Sequence, residues 1–438
     1  MSLNVLGCLF SFLNNPQANS SSSVRSQDSL QSVISHIQPS SENFPEKIAI
    51  LSFKAGNGHV ATARAMREAI QREHPTTEIF DVDFFDIIRG HSLFEQVEGD
   101  TADVVYNRRF ADGSLAKTLP GHRQLEARDE ALNGKTWQQL FSDYFEKNEI
   151  DFLLSTIPVY NNTVAQGLEH YNPFVPYATL YTDYDIYREG AQTPIKGKQR
   201  YAICPSEEVK AYCKDIGYEA SRLSTISSLV TQFDPTVLSQ EGIDREISDL
   251  GLDPKKKTGI ILGGGVGALD YEGIAKALEA APKDTQYIFV CGRNEKAFNQ
   301  LQALGTSYPK VVLGFTDKVP YLMKLSDFYL GKAGGLSISE AIMNKLPLVL
   351  LNDAKASPLE KLNVHWMEKQ GNSVTLNNIE HAGQKVGALF ESGQFDQIKT
   401  HLHETMQHDP RQQVLCQISK IHTQAQSLDS VRLLPFAA

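Results

Sequence analysis

The chain is poor in cysteine: five in 438 residues, Cys8, Cys204, Cys213, Cys291 and Cys416, with no pair at C-x-x-C spacing. That excludes a zinc ribbon or a disulfide-stapled framework and fits the reduced structural thiols of a cytoplasmic protein. No apolar run reaches the length of a transmembrane helix. The opening NVLGCLFSFL is apolar but short, and it lacks the basic n-region and cleavage site of a secretory signal. It reads as an unstructured tail, with a dip of Leu6 to Leu13 into a membrane surface as the other reading. Basic charge is not in excess either. Forty-two basic against 52 acidic residues give a net charge of −10, which argues against a nucleic-acid binder and against any overall pull toward anionic lipid. No acidic pair stands out as a metal site, and no repeat of solenoid length is present.

What the chain has is an ordinary globular composition, 41% hydrophobic and 21% charged, at a length that accommodates two or three domains. After a Ser-, Asn- and Gln-rich stretch, the segment KIAILSF (47–53) reads as a buried strand. The turn and amphipathic helix of AGNGHVATARAMREAIQREHP and a second strand, EIFDVDFFD, follow it. Strand–turn–helix–strand marks a parallel sheet with right-handed crossovers. Strands at DFLLSTIP, YATLYTD and RYAICP complete one α/β domain. TGIILGGGVGALDYEGIAKALEAAP opens a second, continued by QYIFVCGRN, KVVLGF, FYLGKAGG and PLVLLND. The expected division is a flexible segment 1–46, an α/β domain 47–226, a second α/β domain 227–383, and helical material 384–438 returning to the first domain.

Two glycine turns carry the chemistry. In the late run from Gly314 to Leu350, Gly334 and Gly335 follow a strand and precede a helix, SISEAIMNK. Free backbone N–H groups and the positive end of the helix dipole favour an anion there, with Lys332 adding charge. Glu340, one turn in, can accept both hydroxyls of a ribose diol. The early turn, Gly56, Gly58 and His59, also satisfies a dinucleotide fingerprint, with Ala61 in the last glycine's place and Asp81 or Asp83 beyond it. A nicotinamide enzyme, however, leaves the late motif, Gly263 to Gly265 and the Gly314–Phe315 pair without a purpose.

The series Gly314, Phe315, Leu322, Met323, Ser326, Asp327, Lys332, Gly334, Gly335, Ser337, Glu340, Ala341, Leu346 and Pro347 resembles the C-terminal signature of GT-B glycosyltransferases. The relevant group surrounds the peptidoglycan GlcNAc transferase and the diacylglycerol sugar transferases. The early Gly58-His59, with Ala63, resembles the same family's Gly-x-Gly-His element. The resemblance implies two Rossmann-like domains with parallel sheets facing across a cleft. It implies an inverting, metal-independent transfer of a sugar from a UDP-sugar to an acceptor hydroxyl, with no cofactor besides the donor.

It also implies roles. His59 is the acceptor base, since an imidazole near neutral pKa suits proton removal from a hydroxyl as the new bond forms; capping the helix or holding a phosphate is the alternative. Gly58, Gly263, Gly264, Gly265, Arg293, Lys332, Gly334, Gly335, Leu336 and Ser337 surround the diphosphate, Phe315 and Thr316 the base, Glu340 the ribose, and Glu360 and Asn363 the sugar. Phe315 as plain core is the competing reading. Asp183 to Asp185 resembles a metal-binding DxD but aligns better with the family's Thr-Asp strand end.

Three departures qualify the resemblance. The interdomain stretch SSLVTQFDP (227–235) lacks the family's central Pro and Arg. Leu359 stands where relatives carry a sugar-contacting Gln. Gly90 to Lys147, apolar and membrane-facing in lipid-using relatives, is here strongly charged and reads as solvated helices. A lipid acceptor reached by peripheral membrane contact and a soluble or protein acceptor therefore both remain, as do a UDP-sugar epimerase and a non-catalytic nucleotide-sugar binder.

Overall fold

The computed structural model describes residues 43–432, apart from 56–57, 112–113, 158, 187–196, 198, 233–235, 353–357 and 406–407. The opening tail, Gly56, the side chain of Leu359 and the end of the 227–235 stretch lie outside the described residues.

Among the described residues, twelve strands form two six-stranded sheets, ordered β2-β1-β3-β4-β5-β6 and β12-β11-β10-β7-β8-β9. The first comprises β1 (Lys47–Ser52), β2 (Glu78–Asp83), β3 (Phe152–Ser155), β4 (Tyr177–Leu180), β5 (Arg200–Cys204) and β6 (Leu223–Thr225). The second comprises β7 (Lys257–Leu262), β8 (Thr285–Val290), β9 (Lys310–Leu313), β10 (Phe328–Lys332), β11 (Leu348–Leu351) and β12 (Ser373–Leu376). All pairings are parallel. Two Rossmann-like α/β units result, the GT-B architecture expected from the sequence.

Both faces of the first sheet are covered, so its strands read as near-continuous apolar runs. Side chains alternate between the two sides. Ala49 and Leu51 face a core with Trp137 and Phe141, and Ile48 and Ile50 face another with Met66 and Ile70. That second core also contains Val414, Leu415, Ile418 and Ile421 of the closing helix, α8 (Pro410–Arg432). The closing helix thus packs on the first sheet.

Two expectations change in detail. The segment 1–46 is not loose to its end: Phe44 buries its ring against His74, with centroids 3.6 Å apart, and the Glu46 N–H donates to Asp151. Gly90 to Lys147 is not a set of solvated helices. Helices α2 (Ala102–Ala111) and α3 (Leu115–Asn148) bury Val105, Trp137, Phe141 and Phe145 in the first domain's core. The charges that suggested solvation are partly internal, for Asp103, His122 and Asp129 are buried and Asp129 accepts from Ser92 Oγ and the Leu93 and Phe94 amides. Cys204, Cys213 and Cys291 are buried free thiols, as expected.

Candidate functional site

Each sheet reverses its strand order once, between β1 and β3 and between β7 and β10. In open parallel sheets ligands collect beyond the carboxyl ends of strands at such a point. Gly58 and His59 follow β1 in the chain, the Gly263 to Gly265 turn leaves β7, and the Gly334–Gly335 turn leaves β10. The topology therefore puts the expected residues on two opposed switch points.

On the first side, α1 (Gly58–Glu73) begins with Gly58 and carries His59 in its opening turn. The imidazole Nδ1 lies 2.8 Å from the Thr156 carbonyl and 3.1 Å from Thr182 Oγ1. A carbonyl only accepts, so the proton sits on Nδ1 and the Nε2 lone pair is the atom left to accept a proton. Desolvation pushes the pKa down to about 4, against the lift from the Thr156 carbonyl and with Arg123's charge adding to the fall. The ring is neutral at pH 7, the form a base needs.

His59 lines a cavity with Phe53, Phe85, Asp103, Tyr106, Arg123 and Asp183. The charged region from Gly90 to Lys147 thus supplies much of its wall. Arg123 pairs with Glu126 at 3.0 Å, and Tyr160 Oη donates to the same carboxylate at 3.2 Å. Burial would raise the Glu126 pKa, but His122 and Arg123 together hold it below the usual range. Sequence reasoning missed these residues, because a buried charge cannot be told from a solvated one until its partners are known.

On the second side, helix α6 (Gly335–Met343) follows β10 with Gly334 as its cap. The amides of Gly335, Leu336 and Ser337 are first-turn donors without an intrahelical acceptor, and no other backbone acceptor among the described residues takes them. Gly335 is in close approach: a Cβ there would lie 3.0 Å from Leu229 Cδ1 and 3.2 Å from the Thr182 carbonyl, so those neighbours would have to give way. Ser339 is turned into the domain interface, where its Oγ meets Tyr184 Oη at 2.8 Å. Glu340 is one turn in, and Thr231 Oγ1 donates to it at 3.2 Å. Burial pushes its carboxyl up to about 7, with the Thr231 hydroxyl pulling the other way.

The β7 turn divides its glycines by task. Gly263 is used internally: its N–H donates to Tyr271 Oη at 2.9 Å, and a Cβ would strike Leu269 and Tyr271. Gly264 has a φ of +75° and faces open space, and the Gly265 carbonyl accepts from the Arg293 amide at 3.0 Å. Gly292, missed in the sequence, lets the next loop pass, since a Cβ there would sit 2.6 Å from the Gly265 carbonyl.

Phe315 is no core residue. It is 54% exposed, with the Arg293 guanidinium 4.1 Å from its ring centroid. A flat ring exposed at a strand end, with a cation on one face, can stack a planar base. Arg293 accordingly stands at the ring, and Thr316 Oγ1 caps the turn by accepting from the Lys318 amide.

Lys332 makes a 2.7 Å ion pair with Glu360 of helix α7 (Pro358–Lys369), and Asn363 donates to the Ala333 carbonyl at 2.9 Å. Glu360 and Asn363 thereby brace the Lys332–Gly335 turn. The same helix is tied to the first domain through Trp366, whose ring stacks on Tyr184 at 4.2 Å and whose Nε1 donates to Glu208.

Residues 259–426 match the family model of the glycosyltransferase family 28 C-terminal domain. A processive diacylglycerol beta-glucosyltransferase of Staphylococcus epidermidis is 31% identical over 231 residues, 51% of this chain and 55% of the relative. The match thus spans about half the length of that protein. A like-named protein of Staphylococcus carnosus is 24% identical over 377 residues, 83% of this chain and 88% of its own. Among solved structures, Acinetobacter baumannii MurG superposes with a TM-score of 0.52 at 13% identity, covering 85% of this chain and 99% of that one; this is a likeness of fold. No helix among the described residues is long and apolar enough to cross a membrane.

Proposed function

We propose, taking residues 259–426 as a family 28 glycosyltransferase C-terminal domain, that this protein is an inverting glycosyltransferase that moves a sugar from a UDP-sugar to an acceptor hydroxyl. The observation that carries the reading is the meeting of the two switch points. Thr182 contacts His59 through its side chain, and its own carbonyl borders Gly335. The base-bearing turn and the anion-binding turn therefore share one cleft.

In this reading the diphosphate lies against the α6 amides and Gly264, with Lys332 nearby as counter-charge and no metal in the mechanism. Glu340 takes the ribose and Phe315 the uracil. His59 Nε2 faces the acceptor hydroxyl, which attacks the anomeric carbon opposite the departing UDP. The Staphylococcus relatives make diacylglycerol the acceptor to try first, and such an acceptor brings the protein to a membrane surface. Calorimetric titration with UDP, then mass spectrometry of products from UDP-glucose or UDP-galactose and diacylglycerol in detergent micelles, tests the proposal. Absence of UDP binding refutes it, and binding without turnover of either donor selects a nucleotide-sugar-binding module instead.

A further inference from the structure

His59 answers only part of the proton problem. Its desolvation keeps the imidazole neutral and also makes it a weak base, with a conjugate acid that holds a proton only near pH 4 and below. A base is most effective when its pKa lies near the working pH. The same cavity contains a carboxylate that the reading above does not use.

Asp183 follows Thr182, whose hydroxyl contacts His59, and it lines the cavity together with His59. Its Oδ1 also lies 3.6 Å from the point where a side chain on Gly335 would begin. One oxygen atom therefore stands at the boundary between the acceptor cavity and the turn assigned to the diphosphate. Among the described residues no hydrogen bond or ion pair engages the carboxyl, unlike Asp103, Glu126 and Glu360 nearby, each of which has one. A carboxylate kept in a cleft without partners is costly unless a ligand supplies them.

We propose that Asp183 is a second catalytic group of this site, the carboxylate that takes the proton from the acceptor hydroxyl. The proposal rests on the sugar-transfer reading. As the acceptor oxygen bonds to the anomeric carbon, the electron pair of the old anomeric C–O bond leaves on the phosphate oxygen of UDP. The hydroxyl proton passes to Asp183 and later to water. His59 Nε2, whose ring proton is held at Nδ1 by the Thr156 carbonyl, accepts the hydroxyl's single O–H as the acceptor docks and yields it to Asp183 as the new bond forms.

The charged and titratable groups around Asp183 are His59 on α1, Asp103 and Tyr106 on α2, and His122, Arg123 and Glu126 on α3, with the Lys332–Glu360 pair across the cleft. Arg123 is engaged by Glu126 and Lys332 by Glu360, so neither cation cancels the effect of burial, which pushes the Asp183 carboxyl up to about 7. The active form is the carboxylate, so kcat/KM should rise with pH through about 7.

The test compares the full-length protein with its Asp183→Asn and Asp183→Glu variants, with UDP release from UDP-glucose measured between pH 5 and 9 in diacylglycerol micelles. The expected result for Asp183→Asn is a loss of roughly 10²- to 10⁴-fold in kcat, disappearance of the acidic limb near neutrality, and UDP affinity by calorimetry within about twofold of the parent. Asp183→Glu should retain a displaced limb. A parental pH profile in Asp183→Asn, or turnover close to the parent's, overturns the proposal while leaving sugar transfer intact. Failure of the parent protein to bind UDP removes the sugar-transfer reading, and this proposal with it.

Discussion

Replacing Glu340 by Gln should make the empty protein more stable and the nucleotide-binding protein worse. The carboxyl is desolvated and its pKa stands at about 7 against an ordinary 4.5. Between those values the native state holds more protons than the unfolded chain, so Glu340's contribution is fully present below 4.5 and is lost as pH rises to 7. The loss has a ceiling of about 3 kcal/mol by linkage, and relaxation of the site brings it to roughly 1–2 kcal/mol. Glutamine retains an oxygen for the Thr231 hydroxyl and removes the charge. The second domain of Glu340→Gln should therefore unfold roughly 3–6 °C higher at pH 8, with the difference vanishing below pH 5.

A ribose diol makes the opposite demand, since its two hydroxyls donate best to a charged carboxylate. Losing a charged hydrogen-bond partner costs about 1.5–3 kcal/mol, or roughly 10- to 100-fold in UDP affinity. Scanning calorimetry with and without UDP at pH 5 and pH 8 measures both effects on one sample. Equal UDP affinity in the two proteins refutes the ribose assignment, and an unchanged midpoint at pH 8 refutes the claim that burial of this charge is destabilising.

Other substitutions separate binding from chemistry. His59→Ala should lower kcat by roughly 10-fold to 10³-fold if it aims the hydroxyl, with UDP affinity unchanged by calorimetry; weakened UDP binding would move the residue to the phosphate side. Phe315→Ala should weaken UDP by roughly 1 kcal/mol through lost stacking without changing the thermal midpoint, because the exposed ring supports no core. Lys332→Ala removes the 2.7 Å ion pair with Glu360, so both UDP affinity and stability in chemical denaturation should fall, the latter by roughly 1–3 kcal/mol. Gly292→Ala should lower stability by more than about 2 kcal/mol, since φ is +58° and the new methyl would meet the Gly264 and Gly265 carbonyls.

Much of this protein was legible from order along the chain. Strand, glycine turn and helix repeated twice are local signals, governed by side-chain period and by where a backbone can turn, so the two parallel sheets and the glycine turn that opens α6 follow from them. The places of His59, Glu340 and Gly335 just beyond strand ends were legible for the same reason. Tertiary structure alone decided how charge is used. The helices between Gly90 and Lys147 carry no mark distinguishing a solvated charge from a buried one, and only packing revealed that Arg123 and Glu126 wall the cavity. It also decided that Lys332 is paired with Glu360, that Asn363 supports a turn, and that Asp183 meets both halves of the cleft. Such pairings join residues far apart in sequence, and their energies depend on distance and desolvation, quantities that exist only once the chain has folded.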